Sequence, residues 1–60
     1  MTNWEKYFGT PELAALTTVE PHADRQRGQW IAVYHRGELV ANVKARYYGI
    51  WLESEADHER

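Results

Sequence analysis

The sequence contains no cysteine, and this absence excludes several kinds of site together. A chain without cysteine has no disulfide framework, no thiolate nucleophile and no cysteine-ligated zinc. It also has no apolar run near the roughly 20 residues that a membrane-spanning helix needs. The first residues, Met-Thr-Asn-Trp-Glu, lack the basic start and apolar stretch of a secretory signal. We therefore expect a cytoplasmic protein.

Motifs for catalysis and for metal binding are also missing from the sequence. His22, His35 and His58 show none of the short ligand spacings that are typical of zinc sites. There is no G-x-S-x-G elbow, no glycine-rich phosphate loop and no H-E-x-x-H pattern. A pocket with a positioned base and nucleophile is hard to build from 60 residues. We predict a protein that is not an enzyme and needs no metal or cofactor.

Aromatic residues are abundant for so short a chain: three Trp, four Tyr and one Phe. A domain of this size buries only about 60% of the surface of its unfolded chain, so its core is marginal. Large aromatic side chains offset part of that deficit. We predict one domain over residues 1–60, with residues 54–60 as a frayed acidic tail. A packed monomer and a homodimer both remain open.

Two helical pieces are predicted at the N-terminus. Asn3 is the expected N-cap of a first turn that ends at Gly9. Thr10 then caps a second piece, with Pro11 at its first helical position. The β-branched residues 17–19 weaken this helix, and they are alternatively a short edge strand.

A polar, aperiodic surface loop is predicted over residues 20–28. Residues 29–54 read as three antiparallel strands joined by turns at Arg36-Gly37 and Tyr48-Gly49. Alternation of side chains then defines an inner face against the helices, which carries Trp30, Ala32, Tyr34, Leu39, Ala41, Val43, Ala45, Tyr47, Ile50 and Leu52. The outer face carries Gln29, Ile31, Val33, His35, Glu38, Val40, Asn42, Lys44, Arg46, Trp51 and Glu53. The predicted fold class is α+β, with the helix in two pieces packed on a three-stranded antiparallel meander.

The outer face combines apolar side chains with a polar rim that contains arginine. Such a combination is typical of protein-binding surfaces. Acidic residues that alternate along an extended tail would present one row of negative charge, which can pair with a basic groove. The predicted partner-binding residues are therefore Lys44, Arg46, Trp51, Glu53, Glu55, Asp57 and Glu59.

Positive charge is concentrated in the middle of the chain, although the net charge is −2. Residues 25–46 hold five cationic side chains against a single carboxylate, that of Glu38. A basic sheet with an aromatic residue resembles the surfaces that bind single-stranded nucleic acid. The alternative site, in a small nucleic-acid-binding regulator, is therefore Arg25, Arg27, Arg36, Lys44 and Arg46. A third alternative is a structural or assembly protein whose outer face is buried in a homodimer.

The opening of the chain, Trp-Glu-Lys-Tyr-Phe-Gly-Thr-Pro-Glu-Leu-Ala-Ala, resembles the starts of many short proteins encoded by bacteriophages and prophages. This resemblance covers about a fifth of the chain, and the cysteine-rich continuation often seen in such proteins is missing here. By analogy of class, a small acidic phage protein without catalytic motifs is similar to the anti-CRISPR inhibitors. The analogy implies binding to a host protein complex in the bacterial cytoplasm, such as a CRISPR-Cas effector, in some cases by mimicry of DNA charge.

Overall fold

The structure, a computed structural model, describes residues 1–56. Two short helices lead into an antiparallel sheet of three strands in the order β1-β2-β3. A further helix follows the last strand. The elements are α1 (Asn3–Phe8), α2 (Pro11–Ala15), β1 (Thr17–Asp24), β2 (Gly28–His35), β3 (Glu38–Lys44), a 3-10 turn (Ala45–Tyr47) and α3 (Tyr48–Glu53). The predicted α+β class with a three-stranded antiparallel sheet is confirmed.

Side-chain caps define the first two helices. Thr2 caps α1: its Oγ1 accepts a hydrogen bond from the Glu5 N–H at 3.1 Å, and the Glu5 carboxylate accepts one from the Thr2 N–H at 2.8 Å. The predicted cap, Asn3, instead lies inside the helix. The prediction for α2 is confirmed, because Thr10 Oγ1 accepts from the Leu13 N–H at 3.1 Å.

The predicted loop over residues 20–28 is wrong, because most of it belongs to strand β1. This strand pairs antiparallel with β2 from Thr17 opposite His35 to Asp24 opposite Gly28. Pro21 is tolerated because β1 is an edge strand, where one row of N–H groups has no partner strand. The alternative of an edge strand at residues 17–19 is confirmed, and the strand extends to Asp24.

The predicted hairpin turn at Arg36-Gly37 is confirmed. Arg36 has a φ of 54° and Gly37 a φ of 84°, so both central residues have the positive φ of a two-residue hairpin. The pairs next to the turn, His35 with Glu38 and Tyr34 with Leu39, are as predicted.

An irregularity then shifts the register between Val33 and Tyr34. Val33 pairs with Ala41, so Val40 is an extra residue on β3. Ala32 consequently faces Asn42, where the prediction had Ala41. Trp30 faces Lys44 in the same way, and the predicted partner was Val43.

The helices pack on the face of β2 that was predicted to point outward. Val33 is 0% exposed, and the Tyr7 ring of α1 meets the His35 ring edge-on at 5.1 Å. This helix-facing side carries Thr17, Val19, Pro21, Ala23, Ile31, Val33, His35, Ala41 and Val43. The predicted inner face was therefore wrong for Trp30, Ala32 and Tyr34 of β2 and for Leu39 of β3, which lie on the opposite side.

The predicted third strand of the meander is also wrong, since residues 45–53 are helical. In α3, Tyr48, Trp51 and Leu52 are the half-buried residues, at the i, i+3, i+4 spacing of a helix face. The Trp51 ring stacks on the rings of Tyr7 at 6.0 Å and of Tyr48 at 6.1 Å. The predicted cross-strand contact of Lys44 with Glu53 does not form.

The two ends of the described chain lie side by side. The Asn3 N–H donates to the Ser54 carbonyl at 2.9 Å, and the Ala56 N–H donates to the Met1 carbonyl at 2.9 Å. Ala56 is 3% exposed. Residues 54–56 of the predicted tail thus pair with the N-terminus, and the rest of that tail lies outside the described residues.

Candidate binding surfaces

The sheet has one side that the helices leave uncovered, which we call the open sheet face. It carries the residues that alternate with the helix-facing side: Thr18, Glu20, His22, Trp30, Ala32, Tyr34, Leu39, Asn42 and Lys44. Leu39 is 55% exposed, and Trp30 and Tyr34 are half-buried. Aromatic rings therefore meet solvent on this side of the sheet, although Ala32 in the same row is only 4% exposed.

Aromatic and basic groups meet at one end of this face, beside the β1–β2 turn. The His22 ring stacks on the Trp30 ring with centroids 5.4 Å apart and planes 19° from parallel. The Arg27 guanidinium lies over the Trp30 ring, 6.0 Å from its centroid. Lys44 Nζ donates to the Arg27 carbonyl at 2.9 Å, which ties β3 to the turn.

Acidic groups at the same end are engaged in local contacts. The Asp24 carboxylate accepts from the N–H of Gln26 at 2.7 Å and from the N–H of Arg27 at 3.3 Å. These two bonds close the turn. Glu20 lies 3.6 Å from His22 Nε2. The carboxylates therefore order the turn and the histidine that stacks on Trp30.

Two adjoining hollows open at this end of the sheet. The larger, which we call the Trp30 hollow, has a volume of about 430 Å³ and is lined by Gln26, Arg27, Trp30, Asn42, Val43 and Lys44. The smaller, which we call the Arg46 hollow, has a volume of about 260 Å³ and is lined by Arg27, Gly28, Gln29, Lys44, Ala45 and Arg46. Both are bordered by Arg27 and Lys44, so they form one continuous basic surface.

The predicted nucleic-acid set is brought together in part. Arg27, Lys44 and Arg46 line the two hollows, and Arg25 belongs to the same β1–β2 turn. Arg36 lies in the β2–β3 turn, at the opposite end of β2. The aromatic residue beside these cations is Trp30, which sequence reasoning had assigned to the core.

The predicted partner-binding set does not share one surface. Lys44 is on the open sheet face, and Arg46 stands in the 3-10 turn with its guanidinium 5.2 Å from the Tyr47 ring. Trp51 packs on Tyr7 within the helical layer. Glu53 and Glu55 are exposed near the N-terminus, and Asp57 and Glu59 lie outside the described residues.

A groove runs between α1 and α3 on the helical side, and we call it the helical groove. Its volume is about 400 Å³, and it is lined by Thr2, Trp4, Gly49, Leu52 and Glu53. Trp4 is 52% exposed and stacks on Phe8 with ring centroids 5.3 Å apart. Sequence reasoning missed this site because it placed Leu52 and Glu53 on a strand. The i, i+3, i+4 spacing of Tyr48, Trp51 and Leu52 was the signal that identifies the helix.

A half-buried polar cluster joins both helices to the sheet. Thr17 Oγ1 lies 2.8 Å from the Tyr7 carbonyl, 2.9 Å from the Leu13 carbonyl and 2.9 Å from His35 Nδ1. A hydroxyl has a single proton to donate. When it goes to either carbonyl, Nδ1 of His35 must carry a proton and donate to the hydroxyl oxygen. This histidine therefore holds elements together.

Asn3 makes a second polar link, between α1 and α3. It is 6% exposed, and its Nδ2 donates to the Trp51 carbonyl at 2.7 Å. The bond fixes the separation of the two helices that form the walls of the helical groove. Asn3 therefore supports the groove from beneath.

Two pKa values are displaced among the groups of residues 1–56. The hydrogen bond from the Met1 amino group to Glu55, at 2.6 Å, raises the pKa of that amino group above its ordinary value of 8.0. Partial burial raises the pKa of Tyr48 above its ordinary value of 10.0. Neither change brings a group into the range of a general acid or base at neutral pH.

Within residues 1–56, no three His, Asp or Glu side chains are grouped closely enough to hold a metal ion. No helix in this part of the chain is long and apolar enough to cross a membrane. Comparison of the sequence with protein-family models found no match. Curated proteins and solved structures gave no match either.

Proposed function

We propose that this protein is a non-catalytic phage or mobile-element protein that binds a host protein complex in the cytoplasm and inhibits or modulates it. The observation that carries the proposal is the helical groove with Trp4 at its edge. A half-exposed tryptophan beside an apolar depression has the composition of a protein-binding hot spot. The groove offers a partner an apolar contact next to a carboxylate.

The walls of the groove are held in place before any partner arrives. The capping box of Thr2 and Glu5 fixes the start of α1, and the Asn3 side chain binds the Trp51 carbonyl in α3. A preformed surface loses little conformational entropy on binding. This rigidity supports recognition by contact as the mode of action.

The chemistry of the groove indicates the partner's complementary surface. Glu53 lines the groove, and the exposed Glu55 nearby in the chain binds the Met1 amino group at 2.6 Å. An apolar side chain flanked by lysine or arginine would satisfy both features of the site. Channels that hold nucleic-acid phosphates are lined by lysine and arginine side chains of this kind. Together with the phage-like opening of the chain, this makes a CRISPR-Cas effector the specific target that we propose.

A Trp4→Ala variant tests the proposal, with Leu39→Ala as its control. The two residues are exposed to similar extents, 52% and 55%, but lie on opposite sides of the molecule. Tagged proteins are incubated with nuclease-treated lysate of a host that carries an active CRISPR-Cas system, and bound effector subunits are quantified by mass spectrometry. We expect Trp4→Ala to lower capture at least about tenfold, since hot-spot residues contribute roughly 2 kcal/mol or more.

The control variant should retain the effector subunits at the wild-type level. Equal capture by wild type and Trp4→Ala would contradict the proposal. Light scattering of the purified wild type and Trp4→Ala proteins measures their oligomeric state and so tests the homodimer alternative. A wild-type dimer that Trp4→Ala converts to monomer, without captured host protein, would replace the inhibitor by a self-associating protein.

A further inference from the structure

We infer that the open sheet face carries a second site, independent of the helical groove, which binds a single-stranded polynucleotide at the Trp30 hollow and the Arg46 hollow. A base would stack in the first hollow, and the adjoining phosphate would be held at the border between the two. The inference rests on the convergence of an aromatic ring, amide side chains and cations in a space of suitable size.

The size and lining of the Trp30 hollow fit one base. Its volume of about 430 Å³ lies within the range of small-molecule pockets, about 300–1,000 Å³. The indole of Trp30 supplies a π-face, and base–aromatic stacking is the usual means by which proteins hold single strands. Gln26 and Asn42 line the same hollow with amides, which donate and accept hydrogen bonds at base edges.

The Trp30 ring has a close stacking partner, His22, and a more distant cationic partner, Arg27, which a ligand can displace. His22 stacks on it at 5.4 Å with nearly parallel planes, whereas the Arg27 guanidinium lies 6.0 Å away, at the outer limit of a cation–π contact. Arg27 is an exposed turn residue. A base can therefore take its place against the indole while the guanidinium turns to a phosphate.

The charges at this end of the sheet favour an anionic backbone. Arg27 and Lys44 border both hollows, Arg46 lines the smaller one, and Arg25 is in the same turn. The opposing carboxylates are those of Asp24, which accepts two backbone hydrogen bonds, and of Glu20, which lies beside His22. Among residues 1–56, four cations thus face two carboxylates at this end of the sheet, which is positive within an acidic chain.

A single strand fits this surface better than a duplex does. The hollows lie on a sheet and adjoin a stacking ring, and paired bases in a duplex present no free π-face to such a ring. The interactions involve the base faces and the phosphates and none requires a 2′-hydroxyl. We therefore expect DNA and RNA strands of equal length to bind alike.

Fluorescence anisotropy with a labelled oligothymidine of about 12 nucleotides, a length within the usual site size, tests the inference. A duplex of the same length is the control for charge alone. We expect the wild-type protein to bind the single strand at least about tenfold more tightly than the duplex. No binding, or equal binding of the two probes, would overturn the inference.

Matched charge removals locate the site. Arg27→Gln and Arg36→Gln each remove one exposed turn cation, but only Arg27 borders the hollows. We expect Arg27→Gln to weaken binding about tenfold or more. The slope of the logarithm of the binding constant against the logarithm of the salt concentration should become shallower by about 0.7. Arg36→Gln should change affinity by less than about twofold. Equal losses in the two variants would show binding without a site and would contradict us.

Substitutions of Trp30 test the stacking. Trp30→Leu should weaken binding about 5- to 100-fold, and Trp30→Phe, which keeps an aromatic face, should restore most of it. Circular dichroism tests whether both variants are folded. If Trp30→Leu is unfolded, the comparison of Arg27→Gln with Arg36→Gln still tests the site. The Trp4→Ala variant should bind oligothymidine like the wild type, which separates failure here from failure of the proposed function.

Discussion

The two sides of the sheet differ in a way that residue hydrophobicity alone does not explain. The helix-facing side buries Val33 fully and Ile31 in part, and both side chains are branched and compact. The open sheet face holds the larger rings of Trp30, Tyr34 and His22, all partly exposed. Compact side chains let helices approach a sheet closely, whereas large rings with a polar atom tolerate contact with water. In so small a domain, shape therefore decides which side is covered and leaves the aromatic side for binding.

The largest expected effect on this contrast comes from truncating the helix-facing side. Val33→Ala removes two buried methyl groups and leaves a cavity, because Val33 is 0% exposed. We expect the free energy of unfolding to fall by about 2 kcal/mol, and the midpoint of thermal unfolding by about 8–16 °C. Thermal melts followed by circular dichroism measure the change.

The matched change on the open sheet face is Leu39→Ala. Leu39 is 55% exposed, so its truncation should alter stability by no more than about 0.5 kcal/mol. Similar losses in the two variants would mean that the sides are buried equally, and the contrast between them would fail.

A smaller effect is expected from neighbouring threonines on β1. Thr17 Oγ1 contacts two carbonyls and His35 Nδ1 on the helix-facing side, whereas Thr18 is exposed on the other side. Thr17→Val removes the hydroxyl from both carbonyls and from His35 Nδ1, and the Leu13 carbonyl keeps another donor, the Leu16 N–H at 3.1 Å. The change should cost about 1–3 kcal/mol in urea unfolding. Thr18→Val serves as control and should stay within about 0.5 kcal/mol of wild type. If both variants have wild-type stability, the hydrogen bonds of Thr17 between the helices and the sheet contribute nothing to the free energy of unfolding.

The smallest effect concerns pH and the junction of the two termini. The hydrogen bond to Glu55 raises the pKa of the Met1 amino group above 8.0 in the folded state. The stability that this pair contributes is therefore present below pH 8.0 and is lost as pH rises through the folded-state pKa. We expect unfolding midpoints of the wild type to fall over this window more than those of Glu55→Gln. Identical pH profiles would show that the pair has no role in stability.

Two local signals in the sequence predicted local structure correctly, whereas the Asn3 cap and the Tyr48-Gly49 turn were wrong. Thr10 followed by Pro11 correctly predicted the start of α2, because a hydroxyl cap and a fixed proline φ act within one turn. Arg36-Gly37 predicted the hairpin and its first two pairs for the same reason. The fold class followed from these elements together.

The predicted register of β3 failed at a single residue. Val40 is one residue too many on β3, and such a bulge shifts every pair beyond it by one position. Beyond the bulge, each residue of β2 therefore pairs with a different residue of β3 than predicted. The sequence near Val40 contains no feature that predicts the bulge. The predicted third strand agreed with the predicted register of β3, so the prediction contained no sign of the bulge. The chain adopts neither that strand nor that register.

Strand β1 and helix α3 were missed for different reasons. In β1, Thr17, Val19 and Ala23 alternate with polar residues, which is a strand pattern, but Pro21 was taken as a break. In α3 the β-branched and aromatic composition around Gly49 favoured a strand. Tertiary contacts favour the helix over that preference, since Trp51 of α3 stacks on Tyr7 of α1. The Trp30 hollow was hidden by the error in β1, because it is lined by the turn that follows this strand.

The central claim is that the side with Leu39 is open and the side with Val33 is covered. Paramagnetic broadening of methyl NMR signals by a soluble gadolinium chelate measures this directly, because broadening falls steeply with distance from solvent. The account predicts strong broadening of the Leu39 and Thr18 methyl signals and protection of the Val33 methyl signals, which belong to a side chain that is 0% exposed. Broadening of Val33 with protection of Leu39 would contradict it and restore the opposite face as the binding surface.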